Sequence, residues 1–226
     1  MPSFWSYITN GKYSVGCTGQ TVYIYDEKGN EMAKFKDLIH AYNAEISPDS
    51  KKVVVKTTEG RIAIYSLEKM KLLKKFRFSK FDAAQDAGFC FTADGKKLFN
   101  LESHSEGKEH CLSVYEAEKF TLVKQLFYGK EMYISYIEYD KKLESYFVLG
   151  ILYRKFRSNK YFAAEFKDDE LENITYIKEK EYDFYHKFKD LEKMGFTPKA
   201  YRWSYMEESL EDLSSQTRMI SDLVKK

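Results

Sequence analysis

The 226-residue chain writes one local pattern four times, and no other feature limits its fold as tightly. The clearest copy runs from Ile46 to Phe78. Its Ser47-Pro48-Asp49-Ser50 is turn chemistry, since Pro presets φ while Asp and Ser bond the local backbone. Lys52 to Lys56 is β-branched at its centre and suits a buried strand. Thr58-Glu59-Gly60 turns the chain, and Arg61 to Ser66 alternates as a strand does. Leu67-Glu68-Lys69 turns it again, and Leu72 to Phe78 makes a last, lysine-studded strand. With Asn43 to Ser47 in front, this is a meander of four strands of about five residues each.

The turn before the second strand recurs as Asn10-Gly11-Lys12, Asp49-Ser50-Lys51, Asp94-Gly95-Lys96 and Asp140-Lys141-Lys142, at steps of 39, 45 and 46 residues. The third strand ends Tyr25-Asp26, Tyr65-Ser66 and Tyr115-Glu116 in the first three copies, and the fourth copy, with Tyr161 to Phe166 as its third strand, loses that ending. The copies span about residues 4–36, 43–78, 86–128 and 132–178. Four strands every 40 to 45 residues is the signature of a β-propeller blade. One such meander cannot bury both of its faces, so blades are stable only when stacked.

S-P-D-S-K-K-V and T-A-D-G-K-K-L, followed 15 to 20 residues later by strands ending I-Y-S and V-Y-E, resemble repeats of the tryptophan–aspartate (WD-like) propeller family, in divergent form. Tyr25-Asp26 stands where that family has its Trp-Asp pair, and no Gly-His pair opens a blade. The resemblance implies an all-β, propeller-like array of four four-stranded blades over about residues 1–180 and a protein-binding scaffold role. The lack of a Gly-His pair departs from the family and implies that its buried His-to-Asp network is missing here. The four copies can close, stay open as a partial ring, or combine between chains. The first copy begins with its own first strand, Phe4 to Thr9, so no N-terminal strand is expected to complete the last blade.

Composition narrows the function. The 37 basic and 35 acidic residues leave a formal charge of +2, which argues against a dedicated nucleic-acid binder. Cys17, Cys90 and Cys111 are odd in number, lack metal-ligand spacing and lie in or beside strands, which suggests a reducing, cytoplasmic setting. Neither a signal-peptide pattern nor an apolar run long enough to span a membrane is present.

From about residue 182 the period changes, giving a helical tail to 226. Phe184, Phe188 and Leu191 suit a short amphipathic helix that Gly195 would end. Thr197-Pro198 reads as an N-cap and first helical position. Trp203, Met206, Leu210, Leu213, Thr217, Ile220 and Val224 then follow at steps of three and four. This stripe needs a surface, on its own domain, a partner helix or a second copy.

Other clusters have plainer explanations. Lys69, Lys71, Lys74, Lys75, Arg77 and Lys80 fall on an outer strand, where charge blocks edge pairing. Asp168, Asp169, Glu170 and Glu172 sit in a solvated turn, and His104, His110 and Cys111 lack compact metal spacing. The loop Tyr153 to Lys160 places Arg154, Lys155 and Arg157 among aromatic residues and is the better candidate for an acidic partner or a weak nucleic-acid contact. No nucleophile elbow, phosphate-binding glycine loop or H-E-x-x-H is present. The expected function is therefore a non-catalytic interaction module with no cofactor or metal. It would bind a protein, or itself, through its loop faces and the stripe Trp203, Met206, Leu210, Leu213, Ile220 and Val224. An enzyme with a small-molecule or glycan site at the propeller axis is the alternative.

Overall fold

The computed structural model describes residues 4–78, 88–104, 109–140, 144–153, 158–183 and 185–186. The chain falls into two compact units, Met1–Lys130 and Glu131–Lys226. In the first unit, β1 (Ser6–Thr9), β2 (Tyr13–Cys17), β3 (Val22–Asp26) and β4 (Glu31–Phe35) form one sheet, paired in chain order. The second sheet holds β5 (Ala41–Ile46), β6 (Lys52–Thr57), β7 (Arg61–Ser66) and β8 (Lys71–Arg77). The third holds β9 (Phe89–Phe91), β10 (Lys97–His104), β11 (Glu109–Glu116) and β12 (Thr121–Leu126). The second unit carries the fourth sheet: β13 (Met132–Asp140), β14 (Ser145–Leu152), β15 (Lys160–Lys167) and β16 (Glu170–Ile177). Every pairing is antiparallel, so each sequence copy is one meander.

The turn residues set this up in nearly superimposable ways. Ser47 Oγ donates to Asp49 Oδ1 at 2.6 Å and accepts the Lys52 N–H at 2.9 Å, while Asp49 Oδ1 accepts the Lys51 N–H. Thr92, Asp94, Lys96 and Lys97 repeat the same bonds at 2.7, 2.9 and 3.0 Å. The left-handed position of the turn falls on Ser50 in one copy and on Gly95 in the other. The residue after the third-strand Tyr closes the next turn. Asp26 accepts the N–H groups of Lys28 and Asn30, Ser66 that of Lys69, and Glu116 those of Glu118 and Lys119. The Tyr-acid (or Tyr-Ser) ending is thus a local capping device.

A bulge interrupts the pairing of the third and fourth strands at the same place in three sheets, between Ile24 and Tyr25, Ile64 and Tyr65, and Val114 and Tyr115. The extra residues, Met32, Leu73 and Val123, are exposed on the outer strand. Bulges of this kind twist an edge away from foreign pairing.

Within the first unit the sheets pack flat face on flat face. Val15, Cys17, Val22 and Ile24 of the first sheet meet Val53, Val55, Ala63 and Tyr65 of the second. The opposite face of the second, with Val54, Ile62 and Ile64, meets Phe91, Leu98 and Tyr115 of the third. β1 and β2 lie against β5, and β5 against β9, so the first strands are innermost. The basic outer strand also has a role beyond blocking edges. Lys74 Nζ donates to the Phe120 carbonyl oxygen at 3.1 Å and Lys75 Nζ to that of Asp37 at 3.1 Å, clamping the second sheet to structure on both sides. Lys52 Nζ does the same with the Ala117 carbonyl oxygen at 3.0 Å.

Candidate functional site

The fourth sheet is finished by a helix. Residues 179–183 and 185–186 are helical, directly after β16. Glu181 starts the helix by accepting the Lys178 N–H on its carboxylate at 2.7 Å, half of a capping box. Tyr182 and Tyr185 are buried against Tyr136, Phe147, Leu149 and Ala163. By register, Phe147 and Leu149 match Val54 and Lys56 of the second sheet, which face the third sheet. The helix therefore occupies the side of the last sheet that a following sheet would take.

Polar bonds fix it there. Ser135 is the bulged residue of β13, and its Oγ lies 2.7 Å from His186 Nε2, 2.6 Å from the donating Tyr182 hydroxyl and 3.2 Å from the Leu149 carbonyl oxygen. The His186 ring stands edge-on to Tyr136 and Tyr182, and burial pushes its pKa down to about 4. Burial also pushes Tyr182 up to about 12. A serine hydroxyl on a neutral imidazole is the first contact of a nucleophile–base pair. Here Ser135 is 7 % exposed and its oxygen is engaged on three sides, so the arrangement ties down the helix.

The first sheet differs. Its face matching Val53, Val55, Ala63 and Tyr65 carries Ser14, Gly16, Tyr23 and Tyr25, with Tyr7 alongside. Tyr7, Tyr23 and Tyr25 remain partly exposed, whereas their counterparts in the second sheet are fully buried. Tyr23 and Tyr25 stack with ring centroids 6.2 Å apart, and Phe4 meets them edge-on at 5.8 and 6.3 Å. Phe4 can lie across the sheet because Gly16 has no side chain, and a Cβ there would run into the ring. The exposed ion pair Lys34–Glu31 at 3.1 Å borders this face, with Lys34 Nζ over Tyr23.

A third constellation is enclosed between the second and third sheets. Glu102, 2 % exposed, accepts hydrogen bonds from Asn100 Nδ2 at 2.8 Å and the Tyr115 hydroxyl at 2.7 Å. Lys56, equally buried, donates to the Leu101 carbonyl oxygen and lies over the Phe78 ring. Cys111 and Ser113 share Gln125 as donor, and burial first of all pushes the Cys111 thiol up to about 11. Buried polar groups paired in this way fix one packing arrangement, with Asn100 Oδ1 left unpaired in the cluster.

The expected interface residues Trp203, Met206, Leu210, Leu213, Ile220 and Val224, and the loop residues Arg154, Lys155 and Arg157, lie outside the described residues, as do Phe188 and Leu191. Phe184 does too, and the buried positions of the described helix are Tyr182 and Tyr185. Among the described residues no group of three or more His, Cys, Asp and Glu could hold a metal ion. None of the described helices is long and apolar enough to cross a membrane. Sequence reading missed the first-sheet aromatic face and the Ser135–His186 contact. Alternating tyrosines at 23 and 25 signalled the former, while 51 residues separate the latter pair.

No protein-family model matches the chain, and no curated protein matches it. Solved structures do. Hydrazine synthase of Kuenenia stuttgartiensis aligns at TM-score 0.61 and 12% identity over 79% of this chain and 50% of that one. The WD40 domain of Toxoplasma gondii coronin aligns at 0.57 and 15% identity over 76% and 45%, and the RRP9 WD40 repeats at 0.55 and 13% over 77% and 51%. The chain spans about half the length of these structures. At such identities the likeness is one of fold: nearly all-β, propeller-like, with WD40-type four-stranded blades.

Proposed function

We propose that this chain is a non-catalytic protein-interaction module, a scaffold whose flat faces, loops and tail bind protein. The partly exposed aromatic face of the first sheet carries this reading, because tyrosine-rich patches bordered by charge are what protein interfaces are made of. The four blades act as one repeat domain to about residue 180, and the tail from about 182 adds the stripe Met206, Leu210 and Leu213 as a second contact. Three buried free cysteines support a reducing, cytoplasmic setting.

The test is affinity capture of the tagged full chain from its native cells, beside Leu210→Asp/Leu213→Asp and Arg154→Glu/Lys155→Glu/Arg157→Glu variants. A protein retained in near-stoichiometric amount by the parent and lost from one variant of unchanged thermal midpoint supports the proposal. Retention of no protein by the parent overturns it.

A further inference from the structure

We infer that the aromatic face of the first sheet binds the same face of a second copy of the chain, giving a two-fold symmetric dimer. This rests on the module reading, which the same face carries, and deepens it by naming a second copy as what that face binds; it makes no use of the tail.

The inference starts from how each flat face is covered. The second sheet buries Val53, Val55, Ala63 and Tyr65 on one side and Val54, Ile62 and Ile64 on the other. The onward side of the fourth sheet is taken by Tyr182 and Tyr185. The first sheet buries Val15, Cys17, Val22 and Ile24 but leaves Tyr7, Tyr23 and Tyr25 partly in water. A side of this kind is filled by another sheet in the second and third repeats, and a four-stranded meander gains most of its stability from such packing.

The chemistry favours a second copy as the occupant. At this side the second sheet carries one ring, Tyr65, among Val53, Val55 and Ala63, and packs it on the first sheet. The first sheet instead presents rings that already stack in parallel, Tyr23 on Tyr25 at 8° between planes, with Phe4 filling the hollow over Gly16. Flat rings with hydroxyl tips stack on like rings and keep their polar ends wet. The border is electrically self-complementary, because Lys34 and Glu31 lie side by side. A two-fold axis brings each lysine towards the other copy's glutamate, and the near-neutral chain, at a formal +2, adds little repulsion. A self-complementary face pairs once about a two-fold axis and closes, so assembly through it stops at two.

The test is sedimentation velocity of the full chain from about 1 to 100 μM, a range that brackets micromolar association. A reversible monomer–dimer equilibrium is expected. Tyr23→Lys and Tyr25→Lys should each weaken it by roughly tenfold or more, as loss of a central aromatic contact does. Leu210→Asp/Leu213→Asp, which tests the module reading, should leave the dimer unchanged. A benzophenone amino acid at position 23 gives a readout independent of folding losses, and it should yield a covalent dimer in light. A monomer throughout the range, a dimer indifferent to both tyrosine changes, or a position-23 probe that reacts only with its own chain's tail would each overturn the inference. A monomer that still captures a partner would leave the module reading standing.

Discussion

The hydroxyl of Tyr182 donates to Ser135 Oγ at 2.6 Å across 47 residues of sequence. Tyr182 is also buried against the fourth sheet. Its ring and its hydroxyl should therefore contribute separately. Tyr182→Phe keeps the ring and leaves Ser135 with His186 and the Leu149 carbonyl, so a loss of about 1 kcal/mol is expected. Tyr182→Ala removes the ring as well and should cost about 3–5 kcal/mol. Urea unfolding followed by tryptophan-independent circular dichroism separates the two. Equal losses would mean that the ring does not hold the helix in place.

Acid should loosen the same contact. His186 is held neutral by burial, with its pKa pushed down to about 4 from an ordinary value near 6.5. Above pH 6.5 neither folded nor unfolded chain carries the proton, and the contact is at full strength. Between pH 6.5 and 4 the unfolded chain binds a proton that the folded one refuses, so stability falls by up to about 1.4 kcal/mol per pH unit. His186→Gln should flatten that part of the stability curve. A curve of the same slope in the variant would place the acid sensitivity elsewhere.

Tyr65 and Tyr115 occupy the same register position in successive sheets, opposite Val53 and Leu98. Tyr115 bonds the buried Glu102, whereas the Tyr65 hydroxyl makes no hydrogen bond of good geometry and has only the Asp37 carboxylate nearby; burial and then that carboxylate hold its pKa above the usual tyrosine range. Tyr115→Phe should cost about 1–3 kcal/mol, because it strips a buried carboxylate of a donor. Tyr65→Phe should change stability by less than about 0.5 kcal/mol. Chemical denaturation of the two variants side by side checks the order, and the reverse order would contradict the polar cluster described between the second and third sheets.

Burial pushes Cys17 up to about 12 and Cys111 up to about 11. At neutral pH their thiolate fractions are below about one in a thousand, and neither is exposed. Iodoacetamide should leave both intact in the folded chain and label both in urea. Labelling of Cys111 within minutes under native conditions would mean that the third sheet opens.

Much of this architecture was legible in the sequence, for a physical reason. Turn chemistry at Ser47–Asp49 and Thr92–Asp94 is local, so the same residues give the same bonds wherever they recur. The third-strand tyrosines were legible as a position, but their differing roles were not. Whether Tyr65 or Tyr115 finds a donor or acceptor depends on a neighbouring strand. The lysines read as guards of an outer edge also proved to be clamps, because Lys74 reaches a carbonyl 46 residues away. The helix start was expected near Tyr182 and lies at residue 179, fixed by the Glu181 cap. Ser135 and His186 carried no motif, since a bulge in β13 and a helix after β16 bring them together.

The contrast between a covered last sheet and an available first sheet is measured most directly by hydroxyl-radical footprinting of tyrosine side chains, read by mass spectrometry in dilute and concentrated chain. Tyr182 and Tyr185 should stay as protected as Tyr65 at every concentration. Tyr23 and Tyr25 should label readily when dilute and become protected on concentration. Tyr182 labelling as fast as Tyr23 in dilute solution, or Tyr23 labelling at one rate throughout, would contradict it.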